Sequence, residues 1–304
     1  MMKYYVISSK NNDANNEIFQ NNNTYGIEVV GKYASLCTFN LDPQHGGMGK
    51  KESIAAARKA TTIDRLPKEN EIIVFSRVDP DALAACVILE DRISGKLDNE
   101  KGYPTDMAIR VDLISSIDEF NHESWRLQIL PSAENKWPNG ISLTYSAIAS
   151  QCFDFKVPIE ERIEAMRKYL YEGEINNNYI VKVEKERDKF IEELNNGKIL
   201  FKEIYPGVAL VETEGRNAST VGYSIAPVVI SVNPKFSFQG SEPIRKWTIM
   251  EYAEGYIDIE KLTKELDNIE SGCGGNKTLV GSPMGIDSKI PTDKLVELVI
   301  ENLY

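Results

Sequence analysis

The sequence predicts a two-domain α/β protein: an N-terminal α/β domain on a parallel sheet over residues 1–157, a helical linker over 158–198, and a smaller mixed-sheet α/β domain over 199–304. Three observations carry this. The segment EIIVFSRVDPDALAACVILEDRISG, from Glu71, reads as an apolar strand over Ile72 to Phe75, a polar turn, and an apolar helix that follows Pro80. From Pro158, Ile159, Ile163, Met166 and Leu170 fall at helical spacing, as do Ile180, Val183, Phe190 and Leu194 after the break EGEINNN. The last third then alternates strand and helix in the order ββαββα, that of a small sandwich with a mixed sheet.

The remaining elements are read in chain order. KYYVISS is a short strand, and the asparagine-rich NNDANNEIFQNNNTYG is surface loop or a weak helix. After the apolar patch GIEVVGKYASLCTFNL, the turn-like DPQHGGMGKK leads into an alanine-rich helix starting near Lys51. IRVDLISSIDEF is a helix, followed by an irregular connection rich in Trp, Pro and Asn. In the last third, KILFKEI, GVALVET, APVVISVNP and IRKWTIMEY are strands. The helices there run from Ala218 to Ile225, over IDIEKLTKELDNI, and from about Asp293.

Composition narrows the class. A length of 304 residues is large for one hydrophobic core, and 42% apolar with 27% charged residues is ordinary for a globular protein. No apolar run approaches the ~20 residues that cross a bilayer, and MMKYYVISSK lacks a signal-peptide core, so the expectation is a cytoplasmic protein with no membrane partner. Cys37, Cys86, Cys152 and Cys273 are too far apart for a CxxC zinc site and are expected as buried, reduced thiols. A net charge of -11 argues against coating long nucleic acid, which needs many Lys and Arg on phosphates, but allows a small anionic ligand in a local basic pocket.

Two places carry candidate chemistry. Asp79 and Asp81 stand at the C-terminal end of a strand on the turn into a helix, where side chains of an open α/β sheet converge on ligands. Two carboxylates so placed can share a hard divalent cation. Asp-Pro-Asp before a helix is equally what N-capping demands, and both readings stand. The second place is SGCGGNKTLVGSP, where Gly274 and Gly275, with Gly281 beyond, would let backbone N–H groups approach an anion or would simply turn the chain.

FSRVDPDALAACVIL resembles the first motif of the DHH phosphoesterase superfamily, with Asp79 and Asp81 in its two aspartate positions and Arg77 where the family usually has histidine. Arginine does not ligate a metal but pairs with phosphate oxygens. The namesake Asp-His-His is missing; in SSIDEFNHESW, Asp118 could take the aspartate role and His122 a histidine role. His45, with Asp42 beside it, is a replacement ligand from the N-terminal segment, and each histidine reads equally as an ordinary polar residue. Asp112 is a weaker candidate, on a solvated helix face.

RKWTIMEYAEGYIDIEKLTKELDNIESGCGGNKTLVGSP is similar to the DHH-associated C-terminal domain, whose loop usually reads Gly-Gly-Gly-His and whose preceding strand carries a substrate-binding arginine. Arg245 or Lys246 matches the strand position, and Asn276 or Lys277 stands near the family's histidine. Arg216, ahead of Ser219 and Thr220 at a helix start, is a further anion donor, with N-capping as the plain alternative. The resemblance covers about residues 70–125 and 199–290.

The resemblance implies a two-domain DHH-like architecture and a cytoplasmic hydrolase. Mn²⁺ or Mg²⁺ held by Asp79, Asp81 and Asp118, with His45 and His122, would act there on a nucleotide or short oligonucleotide phosphodiester between the domains. Asp79, Asp81, Asp118 and Arg77 would be the catalytic residues, and Arg216, Arg245, Lys246, Gly274, Gly275, Asn276 and Lys277 would bind substrate. The competing expectation, favoured by Arg77 and the absent Asp-His-His, is a nucleotide-binding sensor with a degenerate metal site. A homodimer is left open.

Overall fold

Apolar residues in NTYGI, FNL and EIIVF, flanked by polar turns, form parallel strands. The computed structural model describes residues 2–7, 12–44, 48, 54–97, 102–120, 140–215, 218–237 and 242–304. Contacts divide these into two units, one of residues up to Glu119 with Leu143–Val183, the other containing Glu184–Tyr304.

The first unit runs β1 (Lys3–Val6), α1 (Asn12–Asn21), β2 (Asn23–Ile27), a 3-10 helix (Gly31–Leu36), β3 (Phe39–Leu41), α2 (Ala56–Ala60), β4 (Glu71–Phe75), α3 (Pro80–Ile93), α4 (Thr105–Phe120), α5 (Gly140–Cys152) and α6 (Ile159–Glu172). Among the described residues its sheet has the order β1-β4-β2-β3, every pair parallel. The register aligns Val6 with Phe75, Phe75 with Ile27, and Ile27 with Leu41, so these strands end on one line.

Side chains alternate across the sheet. Ile73 and Phe75 enter one core with Tyr25, Ile27 and Leu41, while Val74 faces the other side with Val29 and Tyr33. The larger core is covered by α3, whose Ala82 to Leu89 are all fully buried, and by α6 through Ile163, Met166 and Leu170. A helix apolar on all sides is what a central position requires. The first amphipathic helix of the expected linker therefore belongs to this core.

α7 (Asn177–Asn195) leads into the second unit, which runs β5 (Leu200–Tyr205), β6 (Val208–Glu212), α8 (Ala218–Tyr223), β7 (Val228–Phe236), β8 (Ile244–Glu251), α9 (Ile259–Ile269), β9 (Gly274–Gly275), β10 (Leu279–Gly281) and α10 (Thr292–Glu301). Its described sheet has the order β5-β6-β7-β8-β10-β9, mixed because β6 and β7 are parallel and the other pairs antiparallel. Val228, Ile230 and Val232 meet α9 and α10 on one face, while Val229 meets α8 and the end of α7 on the other. The molecule is thus an α/β protein with a parallel sheet and a separate mixed sheet, as the sequence predicts. No described helix is long and apolar enough to cross a membrane.

Local differences from the sequence reading have simple causes. Of the two readings of the asparagine-rich segment the helix holds: α1 forms there, because Ile18 and Phe19 pack beneath the sheet. α2 starts at Ala56 rather than near Lys51, although 51–53 lie outside the described residues. Its five residues are too few to be stable alone; Arg92 closes the far end by donating to the carbonyls of Ala60 and Ile63, both at 2.7 Å. α5 was not foreseen. The four cysteines are free; Cys86, Cys152 and Cys273 are buried, and burial pushes the half-buried Cys37 thiol up to about 11.

The glycine-rich segment is a β-hairpin in which Gly274 pairs with Gly281 and Gly275 with Val280. The two glycines differ in need: a Cβ on Gly275 would lie 2.0 Å from the Leu279 carbonyl oxygen, whereas one on Gly274 would meet nothing within 4 Å. Gly275→Ala should therefore lower unfolding free energy by about 1–3 kcal/mol or more, while the exposed Gly274→Ala should stay within about 0.5 kcal/mol of wild type. Urea unfolding of the two variants measures the contrast, and equal losses would contradict it.

Candidate acidic site at the sheet edge

Because β2, β3 and β4 end on one line, the residues that follow them emerge together at the C-terminal edge of the parallel sheet, where open α/β folds place ligands. After β2 comes Glu28, after β3 Asp42, and after β4 the segment from Ser76 to Asp81. Carboxylate oxygens of Glu28, Asp81 and Asp118, the last from α4, all lie within 4.8 Å of one another. Glu28, Asp42, Asp79 and Asp81 are buried.

Each acid is held by the local fold. Asp79 caps α3 by accepting from the Ala82 N–H at 3.0 Å, with Pro80 at the first helical position. The capping reading of Asp-Pro-Asp therefore holds for Asp79, while Asp81 stands in the acidic group. Asp81 accepts from the N–H groups of Ala56 at 2.6 Å and Ala57 at 2.9 Å, at the start of α2. Asp118 accepts from the Gln44 side-chain amide at 2.8 Å. Beside it, Glu119 accepts from the Ala55 N–H at 3.0 Å and from Arg58 at 2.9 Å, tying α4 to α2.

These groups are electrostatically unfavourable as they stand. Burial pushes the Glu28 carboxyl well above the usual carboxylate range, and the charges of Asp79, Asp81, Asp118 and Asp42 push it the same way. Asp81 is raised by burial and then by Asp118 and Asp79, against the opposing pull of the Ala57 and Ala56 amides. Two full negative charges within 4.8 Å of one another would repel by at least about 3.5 kcal/mol at an effective dielectric near 20. Arg77 lies beside them, its Nε 3.5 Å from Asp79 Oδ2 and its guanidinium 5.4 Å from the Phe153 ring centroid. Its side chain is 71% exposed, so it screens the group weakly. Burial, with the charges of Asp118 and Asp79, raises the phenol of Tyr145, from α5.

Several hard oxygen donors of like charge, most of them buried, form the donor set that Mg²⁺ and Mn²⁺ prefer. Glu28, Asp81 and Asp118 fit a divalent cation, with Asp79 and Asp42 close by.

Of the predicted site residues, the structure brings together Asp79, Asp81, Asp118 and Arg77. His45, His122 and Arg216 lie outside the described residues. Asp112 is on an exposed face of α4, 2.8 Å from Arg58. Glu28 was missed; its signal is a lone acid inside the apolar run GIEVVG at a strand end.

The second unit distributes its candidates differently. Arg245 donates to the Ile290 carbonyl at 2.6 Å and Thr292 Oγ1 at 3.0 Å, so its guanidinium anchors the start of α10. Lys246 sits with Nζ 4.8 Å from the Phe236 ring centroid, and Lys277 reaches Glu254 at 3.8 Å. Asn276 Oδ1 accepts from the Thr278 N–H at 2.9 Å and shapes the turn of the hairpin. Antiparallel pairing sets Thr278 beside Glu251 at the far end of β8 from Arg245, about 20 Å along a strand rising ~3.3 Å per residue. Arg245 and the Asn276–Lys277 turn are therefore not brought together.

No protein-family model and no curated protein matches the chain. Among solved structures it is similar to one described as "pGpG-specific phosphodiesterase - PggH from Vibrio cholrae", with 14% identity, a TM-score of 0.41, and 78% of this chain and 84% of that one covered. A likeness of this size is one of outline only.

Metal binding at the acidic group is testable by thermal unfolding. At 100 times its dissociation constant, Mn²⁺ should stabilise the wild type by about 2.7 kcal/mol. Glu28→Gln should be at least as stable as wild type without metal, because a buried like charge is removed, and should lose most of the Mn²⁺-dependent rise in Tm. An unchanged rise in the variant would remove Glu28 from the ligand set.

Proposed function

We propose that the chain is a divalent-metal-dependent phosphoesterase acting on a nucleotide or short oligonucleotide phosphodiester. The observation that carries this is the group of buried Glu28 and Asp81 with half-buried Asp118, with oxygens within 4.8 Å of one another at the C-terminal edge of the parallel sheet. The similarity of FSRVDPDALAACVIL to the first DHH motif, with Asp79 and Asp81 in its aspartate positions, supports the same reading.

Glu28, Asp81 and Asp118 would hold Mn²⁺ or Mg²⁺, with Asp79 and Asp42 adding negative charge around it. When bound, such an ion activates water and offsets charge on a phosphodiester. The chain's own groups supply the rest. Arg77 is fixed on one side by Asp79 and on one face by Phe153, and its remaining exposed donors suit a phosphate oxygen.

A second reading, a nucleotide-binding sensor, is favoured by Arg77 itself: its charge beside Asp79 competes with a cation for that carboxylate. The two readings separate in one assay. Hydrolysis of pGpG, other short oligonucleotides and cyclic dinucleotides should require Mn²⁺ or Mg²⁺, and an Asp79→Ala, Asp81→Ala variant should lose more than ~100-fold in rate, beyond the 10–100-fold typical of groups that only support metal ligands. Equal rates in native and variant protein would sink the enzymatic reading; nucleotide retention without turnover or metal would establish the sensor.

A further inference from the structure

Glu28 has an unusual backbone. Its φ of 51° lies in the left-handed region, and no other described non-glycine residue shares it. That conformation costs an ordinary residue about 1–2 kcal/mol, so the surroundings must impose it. The Glu28 N–H donates to the Leu41 carbonyl at 3.0 Å, which fixes the peptide before it. The peptide after it is held by Asn40, whose Oδ1 accepts from the Val29 N–H at 3.2 Å, and the next peptide is held by the same side chain, whose Nδ2 donates to the Val29 carbonyl at 2.7 Å. One residue on, the Val30 N–H donates to Ser76 Oγ at 2.9 Å.

With both flanking peptide planes held, the Cα–Cβ direction of Glu28 is held too. Asn40 is 4% exposed and stands opposite Gly26 in the β2–β3 register. The absent side chain of Gly26 gives it room, since a Cβ there would lie 2.5 Å from Asn40 Oδ1. Gly26, Asn40 and the Val29 peptide thus form a latch behind the carboxylate.

We propose that Asn40 is a positioning residue that aims the Glu28 carboxylate at the divalent-metal site. It touches neither metal nor substrate and acts through the Val29 peptide. The inference rests on the metal reading above. It implies that the site is assembled by a side-chain bond from β3 to the segment after β2, and that Gly26 is required for the space it leaves.

The test is Mn²⁺ alone, titrated calorimetrically into folded wild type, Glu28→Gln, Asn40→Ala, Asn40→Asp and Gly26→Ala, with thermal unfolding of each metal-free protein alongside. Asn40→Ala should weaken Mn²⁺ by ~10–100-fold, the range for groups that orient metal ligands. Gly26→Ala should do the same by displacing Asn40, and adding Asn40→Ala to it should cost little more. Asn40→Asp is nearly isosteric and guards against a variant that fails to fold. It adds negative charge, which by itself would tighten Mn²⁺, but it loses the donor to the Val29 carbonyl, so weaker binding is expected. Tighter binding in Asn40→Asp, or a lower Tm with unchanged Mn²⁺ affinity in Asn40→Ala, would overturn the positioning role while leaving the metal reading intact, provided Glu28→Gln binds weakly. A wild type that binds no Mn²⁺ would overturn both.

Discussion

Parallel pairing in a single register brings β2, β3 and β4 to an end on the line Leu41, Ile27, Phe75, and the residues beyond that line have no strand partner to define them. In this chain they are acids. Glu28 and Asp42 follow directly, and Asp79 and Asp81 follow after the turn, so hydrophobic burial beneath the sheet forces like charges together above it. The apolar side chains Ile27, Leu41 and Phe75 are fully buried, and shifting any one strand by a residue would expose its whole buried set. The cost of the acidic group is therefore set against the large apolar core that fixes the register.

The same economy appears in the small elements around the site. α2 is too short to persist alone, yet its first N–H groups are satisfied by Asp81 and its last carbonyls by Arg92. Arg58 and Glu119 tie it to α4, which also carries Asp118. Groups that solvate one another's charge also fix one another's position, a condition for bringing together acids that come from a strand end, a helix start and a helix end.

Much of this architecture is legible in the sequence. The short apolar run in EIIVF, the all-round apolar run after Pro80 and the helical spacing from Pro158 each reflect a burial pattern that any fold must satisfy locally. Asp79 and Asp81 could be found because a strand-turn-helix unit makes its own turn conspicuous. Glu28 shows only as a lone acid in an apolar run, because its meaning depends on a left-handed backbone held by Asn40, a residue that lies in a different strand. The glycines near the C-terminus were legible as a turn, but the role of Gly275, close passage beside the Leu279 carbonyl, belongs to the hairpin.

By itself, then, the sequence determined the α/β class, the two kinds of sheet and the aspartate turn, since these follow from interactions between residues near one another along the chain. Only the tertiary structure decided which acids meet, that Arg245 anchors α10 far from the Asn276 turn, and that Asn40 stands behind Glu28. Those outcomes depend on strand order and register, which are set by the packing of the whole core and leave no local trace in the spacing of residues.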